Sequence, residues 1–202
     1  MSLSAVSVRE LTREEVRRLY RERMKDDFPA NELKPLSMLE KAMDRGDYLT
    51  LGAFIPDRPD SGPAAYAFFA APGDAALFDY LAVRRDLRDC GVGSAFLRAL
   101  SPTLDRFRTV LLESDDPDSA AEEGERTRRL RRLAFYERNG LRDTGVRGSV
   151  FGADYRILVF PSPSGAPLPE PEDTARLYRD LYRTFLPEPV LNRAVRISYN
   201  EA

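Results

Sequence analysis

The segment whose residues are best suited to chemistry is Arg88-Asp-Cys-Gly-Val-Gly-Ser94, in which one residue separates two glycines. An apolar stretch ending at Val83 precedes it, and a stripe of apolar residues with helical spacing starts at Val92. Glycines let backbone N–H groups approach an anion closely, and the first turn of a helix favours negative charge. With the cation of Arg88 beside them, these features predict a cradle for a phosphate or pyrophosphate group.

The composition excludes several kinds of enzyme chemistry. The 202-residue sequence has no histidine and a single cysteine, Cys90. Without histidine, Ser-His-Asp and Cys-His nucleophilic machinery is excluded, and proton transfer must use a carboxylate, tyrosine, cysteine, an amine or water. One cysteine permits no intrachain disulfide, and a structural zinc site of the usual kind lacks its ligands.

Charge and hydropathy set further expectations. The formal net charge is −2, and the arginine run from Arg126 to Arg132 is typical of a solvated helix face, so we expect no nucleic-acid partner. No apolar run is long enough to span a bilayer, and the first nine residues lack the pattern of a secretory signal. We therefore expect a cytoplasmic protein without membrane association.

The pattern of apolar, turn and capping residues predicts an α/β architecture. A strand and two helices precede three strands, which turn residues join into an antiparallel meander. A helix then crosses over to a parallel fifth strand, and a helix and two strands follow. In chain order the predicted elements are strand 5–9, helices from Thr12 to about Met24 and from Pro35, strands 48–55, 64–71 and 75–83, a helix from Gly91, strand 109–113, helix 126–139, and strands 141–147 and 155–160.

In this strand–loop–helix context, Arg88-Asp-Cys-Gly-Val-Gly93 resembles motif A of the GCN5-related N-acetyltransferase (GNAT) superfamily, whose pattern is Gln/Arg-x-x-Gly-x-Gly/Ala. Phe96 stands where a Rossmann fingerprint has its third glycine, and the Gly-Lys-Ser/Thr of a P-loop is absent. A second segment, Ala134-Phe-Tyr-Glu-Arg-Asn-Gly-Leu141, resembles motif B, a helix that ends in Phe-Tyr-Glu-x-x-Gly-Phe. Two motifs in the right order are far more specific than either alone, and the resemblance covers roughly residues 5–160.

The resemblance implies a mixed, mostly antiparallel central sheet of about seven strands flanked by about four helices. It also implies acetyl-CoA as the cofactor, with its pantetheine arm in a gap where the fourth and fifth strands separate. The backbone of Leu81, Ala82 and Val83 would pair with pantetheine. The pyrophosphate would be held by the amides of Arg88, Asp89, Cys90, Gly91, Val92, Gly93 and Ser94.

The reaction implied by the resemblance is direct attack of a primary amine on the thioester, with a backbone N–H near Leu81 polarising the oxyanion. Tyr136 matches the motif B tyrosine that protonates or binds the leaving thiolate; the alternative is an aromatic core residue beside Phe135. Without histidine, the general base is expected to be a carboxylate. Asp79 shares the side-chain register of Leu81, and Glu113 ends the fifth strand. Either could serve, and the alternatives are a hydrogen-bonded strand residue and a solvated strand end.

Three further features bear on the cofactor and the acceptor. Many family members have Asn seven residues before the motif B tyrosine, where this sequence has Arg129. Cys90 would face phosphate, which favours a packing role over a nucleophilic one. The acidic segment Ser114–Glu125 could attract a cationic amine or form a solvated loop, and the segment Phe28–Leu36 is a candidate wall of the acceptor site.

Residues after 160 are expected to lie outside the family domain. We predict an acetyltransferase domain at 1–160, a proline-rich linker at 161–171 and a helical extension at 172–202, with an amphipathic helix at Asp173–Phe185. The aromatic face of that helix predicts either a homodimer contact or packing against its own domain.

Two functions follow from these observations. The first is transfer of an acetyl group from acetyl-CoA to a primary amine, expected to belong to a small molecule, in a ternary complex. The alternative is an acyl-CoA-binding sensor or interaction module on the same fold without turnover, because fold alone does not guarantee activity.

Overall fold

The computed structural model describes residues 6–56, 62–160 and 167–199. The helices and strands follow one another in the order predicted, with additions at the C-terminal end. Their bounds are β1 (Ser7–Glu10), α1 (Arg13–Leu19), α2 (Lys25–Asp27), α3 (Leu36–Asp44), β2 (Tyr48–Phe54), β3 (Ala65–Ala70), β4 (Ala75–Val83), α4 (Val92–Leu104), β5 (Thr109–Asp115), α5 (Glu123–Arg138), β6 (Arg142–Val150), β7 (Ala153–Val159), α6 (Pro171–Tyr182), α7 (Glu188–Ala194) and β8 (Val195–Tyr199).

The strands form one eight-stranded sheet in the order β1-β2-β3-β4-β5-β7-β6-β8. Strands β4 and β5 pair in parallel, whereas β1–β2, β2–β3, β5–β7, β6–β7 and β6–β8 are antiparallel. The parallel ladder joins Ala75–Phe78 to Thr109–Leu112, and β4 itself continues to Val83. The predicted mixed, mostly antiparallel sheet is confirmed, with eight strands in place of about seven.

The N-terminal helix begins as its sequence predicts and is longer than predicted. The side chain of Thr12 accepts from the backbone N–H of Glu15, and the Glu15 carboxylate accepts from the backbone N–H of Thr12 at 2.8 Å. This capping box satisfies two donors at the helix start. A π-helical turn at Tyr20–Met24 then joins α1 to α2. The helix therefore ends at Asp27, beyond the predicted Met24.

The chain divides into two compact units, Met1–Pro72 with Asp79–Thr103 and Gly73–Phe78 with Leu104–Ala202. The first unit has an aromatic core on its sheet. Tyr66 and Phe68 are fully buried, and the ring of Phe68 meets Tyr48 at 6.0 Å and Tyr80 at 6.3 Å between centroids, both edge to face. Edge-to-face pairs add stability to that gained from burying the apolar area of the rings. Here they also position the hydroxyls of Tyr48 and Tyr80.

The second unit contains the elements that sequence reasoning missed. Strand β8 pairs with β6 over Val195–Tyr199 and Val146–Val150, and α7 precedes it. The predicted final helix is present as α6, which begins at Pro171. Residues 161–166 of the predicted linker lie outside the described residues. The domain boundary stays a prediction, and the segment after it contributes a strand as well as helices.

Helix α6 packs its aromatic face within its own unit. Tyr178 and Tyr182 are buried and meet edge to face at 5.2 Å. A Cβ on Gly148 of β6 would lie 2.8 Å from the Tyr178 ring and hydroxyl. Gly148 is therefore needed where the ring of Tyr178 approaches the strand backbone. Among the described residues, no helix combines the length and the apolar character that crossing a bilayer requires.

Replacing Gly148 by alanine should lower the free energy of unfolding by about 1–3 kcal/mol, because the new methyl group overlaps the fully buried Tyr178. Urea denaturation of the wild type and the variant measures this difference. Gly124→Ala in the first turn of α5 is the matched control, since its Cβ would meet only Arg128 Nη1, at 3.8 Å; it should leave stability equal to or above that of the wild type. Equal stability of Gly148→Ala and the wild type would contradict the packing described.

Candidate functional site

Strand β4 passes directly into the segment predicted to bind an anion, which we call the glycine loop (Arg88–Ser94). A 3₁₀ turn at Arg85–Leu87 follows the strand, and α4 begins at Val92. Asp89 and Gly91 have left-handed backbones, with φ of 60° and 83°. Glycine adopts this conformation without strain, and aspartate is among the few other residues found there. The turn into the helix therefore requires a glycine at position 91, as the motif predicts.

The start of α4 directs backbone donors toward the loop. The Ala95 N–H donates to the Gly91 carbonyl at 3.0 Å, which closes the first helical turn. The N–H groups of Val92–Ser94 precede this bond, in the turn where an α-helix leaves its donors without intrahelical acceptors. Val92 and Phe96 are fully buried and anchor the helix start. These donors fit the oxygens of a phosphate or pyrophosphate group.

The side chain of Arg88 has a partner that the sequence did not indicate. Its Nη2 donates to Asp27 Oδ1 at 3.1 Å, and its Nε donates to the Val83 carbonyl at 3.2 Å. The Asp27 side chain is 5% exposed, so the ion pair neutralises a nearly buried carboxylate. The cation predicted beside the phosphate therefore already has a carboxylate partner in this structure. Its assignment to the cofactor loop stays a prediction, as does that of the half-buried Cys90.

Asp27 ties the end of the N-terminal helix to the glycine loop within the first unit. The Tyr66 hydroxyl donates to Asp27 Oδ2 at 3.0 Å, and Arg23 Nε lies 3.9 Å from the same oxygen. Burial, followed by the negative charge of Asp27, raises the pKa of Tyr66. The phenol therefore keeps its proton and remains a donor to the carboxylate.

Asp79, the first candidate base, lies on β4, and its side chain is 2% exposed. Lys34 Nζ donates to its Oδ1 at 2.5 Å, and the Tyr48 hydroxyl donates to its Oδ2 at 2.6 Å. Burial, followed by the charge of Asp79, raises the pKa of Tyr48 well above its ordinary value, so this phenol also stays protonated. The contacts match the hydrogen-bonded strand residue named above as the alternative, and the base role stays a prediction.

The segment predicted to border the acceptor site is held at the backbone of Lys34. The Tyr80 hydroxyl accepts from the Lys34 N–H at 2.8 Å and donates to the Glu32 carbonyl at 3.0 Å. The Tyr20 hydroxyl donates to the Lys34 carbonyl at 3.1 Å. The ring of Phe28 meets Tyr80 edge to face at 4.8 Å. These contacts fix the main chain from which the Lys34 side chain extends.

Sequence reasoning selected this segment and Asp79, but it missed Lys34 and Tyr48. A signal for Lys34 was available, because it is one of three lysines among 31 basic residues. Lysine has a compact, rotatable ammonium, whereas arginine has a rigid planar fork. The rarity of lysine therefore sets Lys34 apart together with Lys25 and Lys41, and of these three Lys34 lies in the segment predicted to border the acceptor site.

Glu113, the second candidate base, lies on β5 of the second unit, where it pairs with Ile157 of β7. Its Oε1 accepts from the hydroxyls of Tyr178 and Tyr182 of α6, the latter at 2.5 Å. Burial, followed by the charge of Glu113, raises the pKa of Tyr178 well above its ordinary value. Glu113 is therefore not a solvated strand end, and its role as a base stays a prediction.

Tyr136 lies near the C-terminal end of α5, in the second unit, and is 7% exposed. Its carbonyl accepts from the N–H groups of Asn139 and Leu141 as the helix ends, and its ring meets Phe135 edge to face at 5.4 Å. Burial raises the pKa of Tyr136 to about 12, against a smaller lowering by Arg132. At neutral pH the hydroxyl is therefore a proton-bearing donor.

The acidic segment after β5 is largely neutralised by arginines of the same unit. Arg129 donates to the Asp116 carbonyl at 2.7 Å, to Ser119 Oγ at 2.9 Å and to Glu125 at 2.6 Å. Arg156 donates to Asp116 at 2.9 Å and to Asp118 at 2.7 Å. Arg129, at the position where many GNAT members have Asn, therefore organises this segment. Ion pairing also weakens the idea that the segment attracts a cationic acceptor.

Solved structures share this architecture. A protein from Bacteroides thetaiotaomicron assigned to the GNAT family of acetyltransferases superposes with a TM-score of 0.65 at 22% identity, covering 87% of this chain and 96% of that one. The ribosomal-protein-S18-alanine N-acetyltransferase of Escherichia coli matches with a TM-score of 0.52 at 21% identity, covering 78% and 94%. The spermidine N-acetyltransferase of Vibrio cholerae, solved with CoA and spermine, matches with a TM-score of 0.56 at 12% identity, covering 78% and 95%.

No protein-family model and no curated protein matches the sequence. The structural likeness confirms the fold inferred from motifs A and B: the chain has the GNAT fold. In the first unit, β4 brings Asp79 and Leu81–Val83 into one continuous segment with the glycine loop. In the second unit, Glu113 lies on β5 and Tyr136 on α5.

The high pKa of Tyr136 can be tested by titration. Because burial stabilises the neutral phenol, its phenolate absorbance should appear near pH 12 and not near the ordinary value of 10. The native state then binds more protons than the unfolded state between these values, so this residue lowers stability as pH rises through that window. The measurement is the difference between titrations of the wild type and Tyr136→Phe, with circular dichroism to confirm that both stay folded. A difference signal centred near pH 10 in folded protein would contradict the burial effect.

Proposed function

We propose that this protein is an acetyl-CoA-dependent N-acetyltransferase that transfers an acetyl group to a primary amine, that of a small molecule, by direct attack in a ternary complex. The observation that carries the proposal is the left-handed turn at Asp89 and Gly91, which presents the first-turn amides of α4 beside the end of β4. The fold shared with solved N-acetyltransferases supports it, as two of these are named for the substrates ribosomal-protein-S18 alanine and spermidine.

The chain's own residues fit the two ends of the cofactor. The amides of Val92–Ser94 match the oxygens of a pyrophosphate, since a helix start combines unpaired donors with a favourable dipole. The backbone of Leu81–Val83 is assigned to the pantetheine arm, which carries amide groups able to pair like an added strand. When bound, acetyl-CoA supplies a thioester as the acyl donor and a thiolate as the leaving group.

The raised pKa of Tyr136 limits the role that this residue can have in the reaction. An ordinary thiol has a pKa of about 8.5, whereas burial raises that of Tyr136 to about 12. Complete proton transfer from this phenol to a thiolate would run uphill by about 3.5 pKa units, or ~5 kcal/mol. We therefore assign Tyr136 as a hydrogen-bond donor that stabilises the leaving sulfur. A backbone N–H near Leu81 would stabilise the oxyanion.

The acceptor must lose a proton before or during attack, and the candidates for receiving it are Asp79 and Glu113. Both carboxylates already accept strong hydrogen bonds, Asp79 from Lys34 and Tyr48 and Glu113 from two tyrosines. Oxygens that already accept these hydrogen bonds have fewer lone pairs open to the acceptor's proton. The base must therefore exchange a partner before it can act.

Because both carboxylates already accept hydrogen bonds from side chains, a second candidate function is also favoured, that of an acyl-CoA-binding sensor without turnover. The two functions differ in one measurement. In a screen of primary amines with acetyl-CoA, the enzyme releases free coenzyme A thiol with at least one acceptor. A sensor binds acetyl-CoA and releases no thiol above the uncatalysed rate.

Gly91→Ala should weaken acetyl-CoA binding about tenfold or more, because a strained turn misplaces amides whose charge-assisted hydrogen bonds are each worth ~1.5–3 kcal/mol. Isothermal titration calorimetry measures the affinity. Gly46→Ala is the matched control, since Gly46 also has a left-handed backbone, with φ of 77°. Apart from its chain neighbours, none of the described residues has an atom within 4 Å of where its Cβ would be. Both variants should lose similar stability, and only Gly91→Ala should lose affinity. Equal affinities for the two variants would refute the assignment of the loop.

Tyr136→Phe should lower kcat about 10²-fold and leave the affinity for acetyl-CoA unchanged, because the hydroxyl acts on charge that develops at the leaving sulfur. Steady-state kinetics with thiol detection measure kcat, and calorimetry measures binding. Phe135→Leu removes the neighbouring ring without removing a donor, and its kcat should stay close to that of the wild type. A kcat for Tyr136→Phe within about twofold of the wild type would exclude this role.

A further inference from the structure

Asp79, Tyr48 and the ring of Tyr80 together form an environment for an alkylammonium ion, which we call the ammonium site. The carboxylate of Asp79 and the hydroxyl of Tyr48 lie 2.6 Å apart, and the Lys34 ammonium bound there lies 5.4 Å from the centre of the Tyr80 ring. A carboxylate and an aromatic face are the two groups that best stabilise such a cation. Since the Asp79 side chain is 2% exposed, a cation must be present to offset its buried charge.

The ammonium site lies on β4 close to the position assigned to the thioester. Asp79 precedes Leu81 by two residues on the same strand. Two residues of strand span about 6.6 Å. A nitrogen in contact with the Asp79 carboxylate therefore lies within one side-chain length of the Leu81 backbone.

Lys34 occupies this site through its flexible side chain alone. Its backbone is held independently by Tyr80 and Tyr20, and its side chain is 17% exposed. The ammonium is carried on four methylene groups with rotatable bonds. Lys34 Nζ can therefore leave Asp79 without loss of the contacts that anchor the loop.

We propose that Asp79 and Tyr48 bind the ammonium group of the acceptor, and that Lys34 fills this site until an acceptor displaces it. The proposal rests on the proposed function in placing the thioester beside Leu81. It names the acceptor class as a primary amine on an unbranched alkyl chain, the shape that Lys34 itself presents. Exchange of one ammonium for another keeps the charge of Asp79 balanced, and Asp79 then receives the proton as the acceptor nitrogen attacks.

The proposal makes Lys34 a competitor of the acceptor. When a site is open for only a fraction of the time, the apparent affinity of its ligand falls by that fraction. Removal of the Lys34 ammonium should therefore tighten the binding of small amines. Lys34→Ala removes three methylene groups and the nitrogen, which n-propylamine replaces in size and charge.

The test is calorimetric titration of n-propylamine into the full chain, without cofactor. Lys34→Ala should bind it at least about tenfold more tightly than the wild type, and the double variant Lys34→Ala/Asp79→Asn should lose this gain. Lys41→Ala, which removes an exposed lysine of α3, should bind it as weakly as the wild type. Should Lys34→Ala melt far below the wild type, n-propylamine should raise the melting temperature of this variant and leave that of the wild type unchanged, because the amine restores the cation beside Asp79. Equal affinity for n-propylamine in the wild type and Lys34→Ala, or an equal effect of the amine on the two melting temperatures, overturns the proposal.

Turnover separates this proposal from the proposed function. With acetyl-CoA, Lys34→Ala should acetylate n-propylamine with a KM at least about tenfold below that of the wild type. Failure of the wild type and all variants to bind acetyl-CoA would refute the proposed function, whatever the amine result. Binding of acetyl-CoA and turnover of other amines, with n-propylamine bound at Asp79 and never acetylated, would refute the ammonium site as the acceptor position and leave the proposed function intact.

Discussion

The interaction on which the rest of the structure depends is the pairing of carboxylates removed from water with cations and tyrosine hydroxyls. The side chains of Asp27 and Asp79 are 5% and 2% exposed, and Glu113 is half-buried. Each is compensated by a cation, by tyrosine hydroxyls or by both. Removing the partner of such a carboxylate destabilises the fold, because the charge is left without compensation. The Arg88, Lys34 and Tyr178 side chains therefore take their positions in this structure from the carboxylates with which they pair. In the first unit this constraint attaches two N-terminal segments to β4 and to the glycine loop.

Tyrosines are the common donors to these carboxylates for a physical reason. A buried phenol beside a negative charge has a raised pKa, so it remains protonated and donates over the whole physiological range. Tyr48, Tyr66 and Tyr178 all show this shift. Their rings also form part of the cores of their units. One residue type therefore supplies apolar packing area and a hydrogen bond where histidine is absent from the sequence.

The features that could be predicted from the sequence are those that depend on local pattern. The strand–loop–helix at Val83–Val92 was predicted because apolar periodicity and a required glycine are both local signals. The pairs Lys34–Asp79 and Arg88–Asp27 join residues 45 and 61 positions apart, and no local rule connects them, because their contact results from how elements pack. Strand β8 was missed for a related reason. Its five residues carry little periodic signal of their own, and its pairing with β6 defines it.

The distribution of charge bears on how a cationic substrate would be selected. The acidic segment after β5 is paired with arginines, and the net charge of −2 is small. Exposed charges are screened within about 8 Å at physiological ionic strength, so a long-range field contributes little here. Selection by the proposed enzyme must therefore rest on short-range contacts in a desolvated position. The Asp79 carboxylate on β4, with the Lys34 ammonium already bound, meets that requirement. Low local polarity strengthens its attraction for another cation. A neutral ligand is disfavoured there, because it would leave the charge of the carboxylate uncompensated.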